Sequence, residues 1–158
     1  MLIRKINIKE VSPRKMPGRN IFDLINKDIL KSSKISMEIT KIEPGQVLSP
    51  CHSHRAEEVA YVISGEGRVW VDGAMADLSE GDAILWPSGS KHCLKNIGEK
   101  QLILLCTFST PDYQKDYKNY EKIHPKFYSF FNLNYKHDFK KAELLNACFI
   151  KNRRLKKW

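Results

Sequence analysis

The sequence predicts an all-β domain, a barrel or sandwich of short strands, and three observations carry that prediction. From Ile35 onward the apolar pattern takes a period of two, beginning with ISMEITKIE. Apolar and β-branched segments then follow one another, separated by SGEG, DG, SEGD, PSGS and NIGEK. Asp72-Gly73, between GRVWV and AMADL, marks a two-residue hairpin, because both central positions of the favoured turn need positive φ. Evenly spaced short strands with glycine-rich turns close into a sandwich or a barrel.

Composition agrees with a single globular domain. The 158 residues are 42% hydrophobic and 28% charged, with three Trp, six Tyr and seven Phe, enough to bury a core. The opening MLIRKINIKE lacks the apolar centre of a secretory signal. The longest purely apolar run, Leu102 to Cys106, is far short of the roughly 20 residues a bilayer span needs, so no membrane role is expected and the cytoplasm is the expected compartment. Cys51, Cys93, Cys106 and Cys148 form no CxxC pair and have no regular spacing, and are expected as buried thiols. The net charge of +9 is uneven: Lys136 to Trp158 holds eight Lys or Arg against two acids, which is six of the nine excess charges. A nucleic-acid partner is disfavoured, since a short charge run is usually a solvated helix end.

Taken in order, residues 1–34 form an arm followed by a short helix. Asn20 as N-cap, Asp23 in the first turn, and Ile21, Leu24, Ile25 and Ile29 at helical spacing predict that helix over Asn20 to Lys31. Residues 35–110 hold the strands, the last of them over Gln101 to Phe108. Residues 111–158 change character: Tyr113, Tyr117, Tyr120 and five further aromatics are interleaved with Lys and Asp, and Asp138 to Leu155 then carries Phe139, Ala142, Leu145 and Phe149 near helical spacing. A surface-anchored aromatic stretch and a basic helix are expected there.

Within the strand region, His52, His54 and Glu58 are separated by two and four residues. Side chains of equal parity on an extended chain share a face, so these three can point into one interior while Glu57 points away. His92 arrives from another strand, after the Pro87-Ser88-Gly89 turn. A lone strand histidine is more often a satisfied polar residue than a ligand. Three neutral imidazoles with one carboxylate, however, suit one divalent transition metal, Fe, Mn, Ni, Co or Zn, with positions left open for water or substrate.

The frame around these residues adds to that reading. Gly45, six residues, His52-x-His54, three residues, Glu58, six residues and Gly65 is followed, after a gap of 15, by Gly81, five residues, Pro87-x-Gly89, two residues, His92, three residues and Asn96. The pair resembles the two signature motifs of the cupin superfamily. The second fits at every defining position, and the first has six residues between Gly45 and His52 where five are usual. The resemblance covers about Ile35 to Phe108. It implies a double-stranded β-helix (jelly-roll) barrel, here with a short N-terminal helix and a C-terminal helical extension, in which His52, His54, Glu58 and His92 bind the metal.

Parity places Ala60 and Val62 on the inner wall with Glu58, and Tyr61 and Ile63 outside, where a second subunit or the N-terminal arm would cover them; a homodimer is common among proteins similar to this one. Trp86 is expected as a packed indole or at the barrel mouth, and Cys51 and Cys93, of opposite parity to the ligands beside them, are not ligands. Chains of this pattern resemble dioxygenases, oxalate-type decarboxylases, lyases and isomerases. In the lyases a tyrosine close after the glutamate is the base, and here that position is Ala60. Two readings follow: a metal-dependent enzyme on a small polar or anionic metabolite, or a non-catalytic metal-dependent module that binds or senses a small molecule.

Overall fold

In a computed structural model of the chain, residues 3–48 and 51–120 are described, and they build two facing antiparallel sheets. The strands are Arg14–Met16 (β1), Arg19–Ile25 (β2), Ser36–Ile42 (β3), Cys51–Ser53 (β4), Glu58–Ser64 (β5), Gly67–Val71 (β6), Ala74–Leu78 (β7), Ala83–Trp86 (β8), His92–Asn96 (β9), Leu102–Phe108 (β10) and Lys118–Tyr120 (β11). One sheet has the order β1-β2-β3-β10-β5-β8 and the other β11-β4-β9-β6-β7. This all-β, two-sheet arrangement is the predicted jelly-roll barrel. Among the described residues no helix is long and apolar enough to cross a membrane.

Alternation decides what lies between the sheets. Along β5, Glu58, Ala60 and Val62 are buried while Val59, Tyr61 and Ile63 are exposed, so the strand turns one parity inward and the other to the surface. Leu102, Leu104, Cys106 and Phe108 of β10 are buried by the same rule. With Ile42, Val69 and Leu94 they share one buried core with Ala60 and Val62. The β6–β7 hairpin turns at Asp72 and Gly73, with φ of 45° and 99°, as the Asp-Gly signal requires. Gly65 is needed for two reasons: its φ is +87°, and a Cβ there would sit 2.8 Å from the Gln101 carbonyl oxygen.

Two expectations are corrected. The helix expected over Asn20 to Lys31 is instead a strand, β2, which runs antiparallel along β3 with Ile21 opposite Thr40 and Phe22 opposite Ile39. The β-branched residues satisfy either period, and β3 presents an edge whose backbone groups the arm can pair. After Ile25 the chain turns rather than coils: the Asn26 side chain accepts from the backbone N–H of Asp28 and Ile29, and Leu30 and Lys31 adopt positive φ. The second correction concerns the cysteines. His52 and His92 are directly opposed across β4 and β9, so Cys51 and Cys93 oppose one another, with Cα atoms 4.7 Å apart, and are joined as a disulfide. Spacing along the chain carries no trace of a pairing made by strand register. Cys106 is a buried free thiol, and Cys148 lies outside the described residues, as do the helix expected over Asp138 to Leu155 and the basic tail.

Beyond Pro111 the chain returns over the barrel. The Lys27 N–H donates to the Pro111 carbonyl at 3.1 Å, the Ser36 hydroxyl to the Thr110 carbonyl at 2.8 Å, and Lys27 Nζ lies 2.8 Å from Asp112. These ties carry Tyr113 and Tyr117 to the rings around the histidines.

Candidate metal centre

Each of the four motif side chains is placed by a different part of the fold. His52 lies in the middle of β4 and His92 opens β9 directly opposite, their ring centroids 4.3 Å apart. Glu58 opens β5, opposite Trp86 on one side and Phe108 on the other. His54 follows β4 in a loop latched to the second motif: the Gly89 N–H donates to the His54 carbonyl at 2.8 Å, and the Ser88 hydroxyl to the Arg55 carbonyl at 2.6 Å. The structure therefore brings together all four residues singled out from the sequence. One ligand atom from each of His52, His54, Glu58 and His92 lies within 4.8 Å of the others, and all four residues are buried. Glu57 is exposed, as parity predicts.

Backbone carbonyls orient two of the rings. His54 Nδ1 lies 2.8 Å from the Ala56 carbonyl oxygen, and His92 Nδ1 lies 3.0 Å from that of Ser90. A carbonyl only accepts, so each Nδ1 carries a proton and Nε2 is turned to the cluster, where that of His54 donates to Glu58 when protonated and either offers its lone pair when a cation is bound. The Ser90 carbonyl is itself held in place, since both the N–H and the hydroxyl of Ser90 donate to the Pro87 carbonyl.

The electrostatics fit a cation. Burial pushes the Glu58 carboxyl up, but His54 Nε2 at 3.0 Å and His92 Nε2 at 3.6 Å override it and hold the group at about 2, so it stays ionised. Burial alone lowers His54, yet its contact with Glu58 raises it. His92 Nε2 is buried and has no hydrogen-bond partner. Such an atom is costly unless something fills the space in front of it. A borderline divalent ion, bonded at about 2.0–2.2 Å to nitrogen and carboxylate oxygen, spans a cluster of this size and accounts for that atom.

Aromatic rings wall the cluster. Tyr117 lies flat on His52, centroids 4.3 Å apart, and Trp86 on His92 at 5.2 Å. Phe108 meets His54 edge-on at 5.4 Å and is itself stacked by Tyr113 at 3.8 Å. Behind Tyr113 sits a buried carboxyl, Glu38, which accepts from the Tyr113 hydroxyl at 2.6 Å and the Thr40 hydroxyl at 3.1 Å, with Arg14 3.4 Å away. Burial raises Glu38 to about 7, beyond what the Tyr113 and Arg14 contacts lower it. Sequence reasoning assigned no site role to Tyr113, Tyr117, Glu38 or Arg19. The one usable signal was that β3 places Ser36, Glu38 and Thr40 on one parity, a polar stripe on a strand that needs a buried face.

Comparison with known proteins agrees with this geometry. Residues 38–108 match the Cupin domain family. The chain is 24% identical over 98 residues to the polyketide synthase CurC of Streptomyces cyaneus, covering 62% of this chain and 64% of that protein. It is 28% identical over 99 residues to an uncharacterized protein of Methanocaldococcus jannaschii, covering 63% and 78% respectively. Among solved structures, oxalate decarboxylase from Bacillus subtilis superposes with a TM-score of 0.68 at 18% identity, over 92% of this chain and 39% of the other; at that identity the likeness shows the fold. The chain thus spans less than two thirds of the Streptomyces relative and about two fifths of the decarboxylase. The match over residues 38–108, the two-sheet barrel and the four-residue cluster identify that segment as a cupin domain with the three-histidine, one-glutamate set of a metal-binding cupin.

Proposed function

We propose that the protein is a mononuclear divalent-metal enzyme acting on a small polar or anionic metabolite. The observation that carries this reading is the convergence of four buried ligand atoms within 4.8 Å, two of their rings oriented by backbone carbonyls. When bound, the ion supplies Lewis acidity or a site for oxygen, and one glutamate leaves it with net positive charge that favours an anion. Around it the chain's own residues exclude water: Tyr117, Trp86 and Phe108 lie against the three histidines. His52, His54 and His92 hold the cation in place, and Ala60 and Val62 leave the adjoining wall small and apolar.

One observation favours a non-catalytic binding module instead. The buried carboxyl beyond the ligand set, Glu38, is already engaged on both oxygens by Thr40, Tyr113 and Arg14, which leaves no free base there. Turnover separates the two readings. Metal analysis of protein purified without chelator, with His92→Ala as control, is expected to give one ion per chain in the wild type and a large loss in the variant. Oxygen uptake and product analysis with a panel of small acids and thiols is then expected to show turnover by the loaded wild type alone; loading without turnover would favour the binding module. The exposed row of Val59, Tyr61, Ile63 and Leu85 supports a homodimer, which sedimentation would test.

A further inference from the structure

We infer that Arg19, held by Tyr117, is the carboxylate-recognising arm of this site, and that the ligand is a small carboxylate with a second donor for the metal. The inference rests on the metal reading above and adds the ligand's chemical class and the residue that selects it.

Arg19 is the only buried lysine or arginine among the described residues, at 9% exposure. Its Nη2 donates to the Tyr117 hydroxyl at 3.0 Å, while its Nη1 is buried with no hydrogen-bond partner. Among the described residues no carboxylate pairs with it. Arg14, five residues earlier and half-buried, is by contrast forked onto Asp23 and reaches Glu38. Burying a guanidinium with no counter-charge and an unfilled donor is strongly unfavourable, so the position makes sense where an anion arrives to complete it.

Place and chemistry agree on what that anion is. The phenol that holds Arg19 is the ring lying flat on His52, so the guanidinium stands one side chain from a metal ligand. On the His92 side, the Trp86 indole N–H is a second buried donor with no acceptor. A planar guanidinium fork matches a carboxylate better than a neutral amide or a hydroxyl. The ligand would meet the metal at one end and Arg19 Nη1 at the other.

The test is calorimetric titration of manganese-loaded protein with malonate, using malonamide as the uncharged control and measuring bound metal in every sample. Malonate is expected to bind the wild type and malonamide far more weakly. Arg19→Gln is expected to weaken malonate by about tenfold or more at unchanged metal content, and Tyr117→Phe by a smaller factor. If Arg19→Gln does not fold, Arg19→Lys keeps the charge but loses the fork, and weakening of about fivefold is expected. Equal malonate affinity in the folded variant and the wild type would overturn the assignment, as would absence of malonate binding to the loaded wild type or equal binding of malonamide. If instead the wild type holds no metal but Arg19→Gln still abolishes malonate binding, the metal reading falls and the carboxylate arm stands.

Discussion

Tyr117 lies on His52 with the two ring planes only 18° from parallel and their centroids 4.3 Å apart. The two residues are far apart in the chain: His52 comes from the first motif, Tyr117 from the segment that returns after β10. The phenol covers a metal ligand and hands its hydroxyl to Arg19, so it orients both ends of the site at once.

Truncating that ring should therefore loosen the metal. Tyr117→Ala is expected to weaken metal affinity by about tenfold, the scale on which partners of metal ligands act, whereas Tyr117→Phe keeps the stack and most of the affinity. Competition with a chromophoric chelator measures both.

Glu38 gives a pH signature. Its carboxyl, ordinarily near 4.5, is raised to about 7 by burial. A carboxyl raised in the folded state binds its proton more tightly there than in the unfolded chain. Its contribution to stability is fully present below about 4.5 and is lost as pH rises toward 7. Glu38→Gln removes this dependence. Across that window the variant should gain on the wild type by up to about 3 kcal/mol in denaturant unfolding. A difference that stays flat with pH would show that Glu38 is ionised throughout.

Gly65 closes the first motif where the chain passes the backbone of Gln101 and Leu102. A methyl group there would meet the Gln101 carbonyl oxygen at 2.8 Å and Leu102 Cα at 2.9 Å, neither of which can swing aside. Gly65→Ala is expected to destabilise by about 2–4 kcal/mol in thermal or denaturant unfolding, from the positive φ and the clash together.

Much of the barrel and its ligand set was legible in the chain, because both depend on local period. Parity alone separated Glu58 from Glu57 and put Ala60 and Val62 inside with Tyr61 and Ile63 outside, as the exposures of 0%, 0%, 47% and 42% show. The arm was misread because Ile21, Leu24, Ile25 and Ile29 keep a helical spacing, while Ile21, Ile25 and Ile29 also share one parity; the free edge of β3 decided, and an edge is a tertiary fact. The Cys51–Cys93 disulfide was hidden for a related reason, since only the β4–β9 register sets those residues opposite one another. Arg19, Tyr113 and Tyr117 meet the site through pairings that span up to 99 positions, and no local pattern encodes these.

The central claim is that three imidazoles and one carboxylate, distant in sequence, hold a single cation inside the barrel. X-ray absorption at the edge of the bound metal tests it most directly. The account predicts three imidazole scatterers and a light first shell at about 2.0–2.2 Å, with one imidazole lost in His92→Ala. A shell containing sulfur, or an unchanged imidazole count in that variant, would contradict it.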